Sequence, residues 1–224
     1  MGMKTSETSS GKFAAAAKLF EAADPSSIPE AKLFADAAAP EPSGKRRLLE
    51  MSSPHTAWCW ASEIMHVVLT HQERPSKQRK LTRKWDGATP YAIHPLWCAM
   101  MILHESLLDE TTRVDGSRAL MHHDILEDTY GDIAHLPERV QKLVRDMTYD
   151  GLAHEMAAVW EKEPIIRLLK LYDKCSNLMD GAWMAPDYRE KYEAYTAKLL
   201  SDAERNYGTG LNIVRLAHGL LNGK

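Results

Sequence analysis

At 224 residues with 44% hydrophobic side chains, the chain is long enough for one sizeable buried core plus an extension. A formal net charge of −3 argues against a general nucleic-acid binder, so no stable nucleic-acid partner is expected. No apolar run reaches the ~20 residues of a membrane span, and none of signal-peptide type follows the opening Met-Gly-Met-Lys-Thr-Ser, so a cytoplasmic location is expected.

Residues 1–48 form a low-complexity extension rich in Ala, Pro and Ser. It holds a near-repeat, Ala17-Lys18-Leu19-Phe20 and Ala31-Lys32-Leu33-Phe34, each copy fit for a helix of about two turns that is too short to stand alone in water. The expectation is a flexible segment. The alternative is a pair of docking helices that present Leu19-Phe20 and Leu33-Phe34 to a groove on this protein or a partner.

Residues 49–224 read as one helical domain. Apolar spacing predicts a first helix over 57–70, with Trp58, Ile64, Val67 and Val68 on its apolar side. A polar loop follows, in which Arg74, Lys77, Arg79, Lys80, Arg83 and Lys84 cluster ahead of Trp85; a basic run there suits phosphate, with Arg offering two parallel donors. Helices are predicted over 95–108, 117–127, 137–147, 164–179, 188–204 and 211–221, three of them opening on proline. No alternating strand pattern with hairpin turns appears. An all-α bundle with side chains converging from facing helices is the expected architecture. Cys59, Cys98 and Cys175 have apolar flanks and no Cys-x-x-Cys spacing, which fits core thiols in a reducing compartment.

The most telling segment is Met121-His122-His123-Asp124-Ile125-Leu126-Glu127-Asp128-Thr129. In a helix, residues four apart share a face, which sets His123 beside Glu127 and Asp124 beside Asp128. Carboxylates gathered in an apolar frame need partners or a metal. An imidazole with three carboxylates suits a divalent ion and an adjacent general base. His122 competes with His123 for the ligand role; His123 is preferred because it alone adjoins Asp124. Two further segments supply donors. One is Thr89-Pro90-Tyr91-Ala92-Ile93-His94-Pro95-Leu96, and the other is Lys170-Leu171-Tyr172-Asp173-Lys174-Cys175-Ser176-Asn177-Leu178. Taken singly, Asp173 reads as a helix residue paired with Lys170 or Lys174.

The ordered set His94, His123-Asp124 and Asp173 resembles the ligands of the HD-domain metal-dependent phosphohydrolases. The longer motifs resemble the hydrolase domain of the RelA/SpoT superfamily, above all its small stand-alone alarmone hydrolases, including the metazoan SpoT homologues, and the likeness runs from about Glu63 to Arg205. The resemblance implies an HD-type helical bundle with a metal site at its centre. It implies Mn²⁺ held by His94, His123, Asp124 and Asp173, a water oriented and deprotonated by Glu127 and Asp128, and a nucleotide contacted by Arg83, Lys84, Asn177 and Tyr192. The implied reaction is hydrolysis of the 3′-pyrophosphate of (p)ppGpp. The interval from Asp124 to Asp173 is shorter than in that family, and Tyr149 to Glu155 carries no Lys or Arg. The alternatives are another HD-type nucleotide phosphohydrolase, acting on a deoxynucleoside triphosphate or NADPH, and a non-catalytic nucleotide-binding regulator; Glu127 and Asp128 count against the regulator.

Overall fold

The computed structural model of the chain describes residues 54–73 and 82–223, with side chains for 60–71 and 82–223. The near-repeat of the extension and Arg74, Lys77, Arg79 and Lys80 of the basic loop lie outside the described residues, as do the side chains of Trp58 and Cys59. The chain divides into two compact units, Met1–Glu63 and Ile64–Lys224. The described residues of the first, 54–63, are the opening turns of helix α1, Pro54–Glu73.

In the second unit the order is α2 (Ile93–Leu103), α3 (Glu110–His122), α4 (Ile125–Asp128), α5 (Glu138–Met147), α6 (Leu152–Ala158), α7 (Pro164–Met179), α8 (Pro186–Tyr207) and α9 (Asn212–Asn222). Among the described residues the only β pairing is an isolated bridge between Thr82 and Pro90. The fold is all-α, as the sequence indicates.

Helix α7 is the axis of the bundle and packs against α2, α3, α5, α8 and α9. Pro164 fits its first turn, where a missing N–H costs nothing. Ile166, Leu168, Leu169, Leu171, Tyr172 and Cys175 bury every face, and Lys170, Asp173, Lys174 and Ser176 are buried with them. A helix apolar all round belongs in a core. Polar residues on such a helix are there for a site or for each other. Cys98 and Cys175 are free and buried, as core thiols should be. Helix α3 passes close over α2 at Gly116, where a Cβ would stand 2.7 Å from Ile102 Cδ1 and 3.2 Å from Leu169 Cδ2.

Two of the predicted helices are corrected. The helix expected over 117–127 begins earlier, at Glu110, where the Asp109 side chain accepts from Thr112 N at 2.9 Å and caps it. It then ends at His122, and α4 starts only at Ile125. His123 Nδ1 donates at 2.7 Å to the Leu120 carbonyl, the acceptor that an unbroken helix assigns to the Asp124 N–H. The helix expected over 95–108 runs from Ile93 to Leu103. Beyond it the chain turns so that buried Glu105 can serve α9: its carboxylate accepts from Asn212 N at 2.8 Å, Ile213 N at 2.9 Å and the Tyr172 hydroxyl at 3.0 Å. An anion at a helix N-terminus satisfies otherwise orphaned N–H groups and complements the helix dipole.

Glu105→Ala leaves Ile213 N and the Tyr172 hydroxyl buried without an acceptor, so we expect a loss of about 3 kcal/mol in denaturant unfolding, with Glu105→Gln losing less. An alanine variant within about 0.5 kcal/mol of the parent would contradict this role.

Candidate metal centre

Three of the expected donors converge beside a cavity that Asp124 and Asp173 line. His94 Nε2, His123 Nε2 and an Asp173 oxygen form a set in which every pair of donor atoms lies within 4.8 Å. His94 Nε2 is 3.3 Å from Asp173 Oδ1, and His123 Nε2 is 3.8 Å from the same oxygen. Asp124 touches both rings, with Oδ2 3.5 Å from His94 Nε2 and Oδ1 3.2 Å from His123 Nε2. An ion with bonds of ~2.1 Å spaces adjacent donors ~3.0–3.5 Å apart; three of the four separations, 3.2, 3.3 and 3.5 Å, fall in that range and the fourth, 3.8 Å, lies just beyond it.

The histidines are held as metal ligands are held. His94 Nδ1 meets the Ser176 hydroxyl at 2.8 Å, and His123 Nδ1 meets the Leu120 carbonyl at 2.7 Å. The Leu120 carbonyl takes the His123 Nδ1 proton, which leaves the lone pair of the neutral ring on Nε2, and the Ser176 hydroxyl can pair with His94 Nδ1 in either tautomer. Both Nε2 atoms are buried and have no hydrogen-bond partner. Buried polar atoms in native proteins are nearly always satisfied, and two adjacent imidazole nitrogens that face only carboxylate oxygens fit the ligand shell of a cation. The donor set of imidazole and carboxylate fits Mn²⁺, Fe²⁺ or Zn²⁺.

Asp173 divides its carboxylate between two environments. Oδ1 faces the histidines and accepts from Asn177 Nδ2 at 2.7 Å. Oδ2 faces Lys174 Nζ at 2.9 Å and Lys170 Nζ at 3.6 Å. Burial works against its charge, but Lys174, Lys170 and the two histidines hold its pKa well below the carboxylate range. The helix ion pair and the candidate metal ligand are therefore the same residue. Burial pushes the pKa of His94 down despite the nearby acids. For His123 burial pulls the same way, yet Asp124 and Asp173 outweigh it and raise the pKa to about 9.

Glu127 lines the cavity and accepts from Tyr149 N at 2.9 Å, with Lys170 Nζ 3.7 Å away. Burial raises its pKa, against the pull of Lys170. Asp128 is fully buried and lies outside the lining, near Tyr91. Tyr91 donates its hydroxyl to Asp124 Oδ2 at 2.6 Å. His122, the competitor for the ligand role, is not in the cluster. Its ring neighbours His66 and His135, and burial holds its pKa down to about 4.

The cavity encloses about 300 Å³, and Arg83, Lys84, Asn177 and Tyr192 line it. Arg83 is committed elsewhere: its Nε pairs with Asp180 Oδ2 at 2.9 Å and Nη2 donates to the Ser176 carbonyl at 3.2 Å. Lys84 Nζ rests 3.4 Å over the Trp183 ring. Tyr192 is buried beneath Lys174 Nζ. The lining carries five carboxylates, those of Asp124, Glu127, Glu155, Asp173 and Asp180, against three cations, Arg83, Lys84 and Lys174. Such a cavity repels a phosphate until a divalent cation corrects the balance.

Sequence reasoning gave no role to Ser176, Glu155, Asp180 or Trp183. Ser176 stands three residues after Asp173, so helical spacing was the one available signal. Glu155 pairs with Lys174 at 2.8 Å and Lys170 at 3.0 Å, a contact without a local signature.

No protein-family model matches the chain. Curated relatives include the guanosine-3′,5′-bis(diphosphate) 3′-pyrophosphohydrolase MESH1 of Mus musculus, 30% identical over 115 residues, and that of Homo sapiens, 31% identical over 115 residues. Each alignment covers 46% of this chain and 63% of the relative, so the chain spans less than two thirds of the relatives it matches. A solved structure described as a metazoan orthologue of SpoT that hydrolyses ppGpp aligns with a TM-score of 0.55 at 18% identity, over 83% of this chain and 98% of the other. That match supports the HD-type helical fold, and the sequence matches support the likeness to small alarmone hydrolases.

Ser176→Ala frees the His94 imidazole to rotate, so Mn²⁺ affinity should fall by ~10–100-fold with the fold intact. Equilibrium dialysis with elemental analysis checks this; unchanged affinity would remove Ser176 from the site.

Proposed function

We propose that the chain is a metal-dependent hydrolase of a phosphorylated nucleotide, and that its substrate is (p)ppGpp, cleaved at the 3′-pyrophosphate to GDP or GTP and pyrophosphate. One observation carries the reading: two buried histidine nitrogens without hydrogen-bond partners meet an Asp173 oxygen where acidic residues line a cavity. His94, His123 and Asp173, joined by Asp124, would hold the ion, with Mn²⁺ favoured by the resemblance. When bound, the ion would polarise a phosphoryl oxygen and lower the pKa of water.

The chain's own residues do the rest. Glu127, with its pKa raised by burial, takes a proton from the attacking water, since a base works best with a pKa near the operating pH. The water oxygen bonds to the phosphorus attached to the ribose 3′ oxygen. The bond from that phosphorus to the ribose oxygen breaks, and the ribose oxygen leaves as a hydroxyl after taking a proton. Asp128, expected to act on the water with Glu127, is fully buried near Tyr91 and outside the cavity lining, so the proton transfer is assigned to Glu127. Asn177 holds Asp173 Oδ1 and so orients the ligand carboxylate toward the histidines. Lys84 lies on the exposed side and is placed to meet the substrate's phosphates, whereas Arg83 contributes by fixing Asp180 and the Ser176 backbone. Tyr192 forms part of the wall against which the ribose rests. The proposed location is cytoplasmic; among the described residues no helix is long and apolar enough to cross a membrane.

The test is a substrate comparison with purified, Mn²⁺-loaded protein against ppGpp, deoxynucleoside triphosphates and NADPH, with product identification. Release of pyrophosphate from ppGpp is the expected result. Turnover of the other nucleotides without it would move the assignment to the alternative HD enzymes, and binding without turnover to the regulator. In the same assay Glu127→Gln should lose ~10²–10⁴-fold in kcat while keeping its metal and nucleotide affinity. A wild-type rate in that variant would place the base elsewhere.

A further inference from the structure

A second histidine cluster lies beside the first and has no part in the chemistry above. His66 comes from α1, His122 from the last turn of α3, and His135 from the loop between α4 and α5. Their ring centroids are 4.6 Å apart for His66–His135, 5.4 Å for His122–His135 and 6.2 Å for His66–His122. We propose that these three imidazoles form a second metal site, separate from the catalytic centre, that takes a borderline transition ion of the Zn²⁺ class.

The spacing is the first support. A tetrahedral ion bonded at ~2.0 Å to one nitrogen of each of three imidazoles holds their centroids ~5.2 Å apart, a value the three observed separations bracket. The second support is His122. Its side chain is fully buried, and Nδ1 donates to the Arg118 carbonyl at 2.9 Å. The proton is thereby placed on Nδ1, and the lone pair of the neutral ring falls on Nε2. That atom is buried and has no hydrogen-bond partner. A backbone carbonyl fixing the far nitrogen is also how His123 is prepared for the catalytic ion.

His135 is exposed, which gives an ion a path to the cluster. The three donor atoms stand farther apart than those of His94, His123 and Asp173. Binding an ion would require the exposed His135 ring to turn toward His66 and His122. A ligand set of three imidazoles with no carboxylate selects Zn²⁺, Cu²⁺ or Ni²⁺ over Mn²⁺. The two sites therefore differ in preference: a hard ion suits the His and Asp set, a softer one the all-imidazole set. An ion at the second site would fasten α1 to the end of α3, one residue before catalytic His123, and to the loop leading into α5. Its fourth position would hold water.

The experiment uses the full chain, stripped with a chelator and dialysed against Zn²⁺, with elemental analysis and thermal unfolding as readouts. We expect two ions bound per chain in the parent, one in His135→Ala and one in His94→Ala. We also expect a Zn²⁺-induced rise in Tm that shrinks in His135→Ala. His135 lies on the surface, so its replacement leaves the core untouched, and His66→Gln provides an independent variant. One ion in the parent would overturn the proposal. So would two ions retained in both His135→Ala and His66→Gln, which would leave the cluster as three packed neutral rings.

Discussion

The Asp173 carboxylate is pulled in two directions, and the rest of the site is arranged around that division. Oδ1 faces His94, His123 and Asn177, while Oδ2 faces Lys174 and Lys170. A carboxylate with both oxygens free would have several orientations to choose from; two lysines on one oxygen leave the other a single direction. The lysines are themselves buried, and Glu155 answers their charge. The network is connected throughout, which is the condition under which buried charges are tolerated. Removing one member strands the others, so the cluster behaves as a unit.

That arrangement explains the character of α7. Its apolar residues bury all its faces against five neighbouring helices, and this rigid setting holds the polar residues where the chemistry needs them. Ser176 is the clearest link between scaffold and site. Its hydroxyl meets His94 Nδ1, and its carbonyl accepts from Arg83, whose other contact, Asp180, lies just past the end of the helix. The loop that carries Arg83, the helix that carries His94 and the helix that carries Asp173 are thus fastened at one residue. A ligand constellation on helix faces is held more tightly than one on loops.

Much of this was legible in the sequence. The span of α7 follows from Pro164 and the apolar run after it, and the three segments that carry the candidate ligands stand out by acids and histidines in apolar frames. Other features had no local signature. The break at His123 and Asp124 interrupts no apolar spacing, because it arises from a side chain taking the Leu120 carbonyl. Arg83 stood in a basic run that reads as phosphate-binding, but its guanidinium meets Asp180, 97 residues along the chain. Glu155 sat in a segment noted for lacking positive charge, and its value lies in neutralising Lys170 and Lys174 from another helix. Pairings of this kind depend on how helices pack, which a periodicity cannot report.

The central claim is that His94, His123 and Asp173 hold one divalent ion as a group. Crystals grown with Mn²⁺ and measured at a wavelength near its absorption edge test it most directly. The anomalous map should show one strong peak ~2.0–2.4 Å from His94 Nε2, His123 Nε2 and an Asp173 oxygen. A map without a peak there, with the two Nε2 atoms turned to other partners, would contradict it.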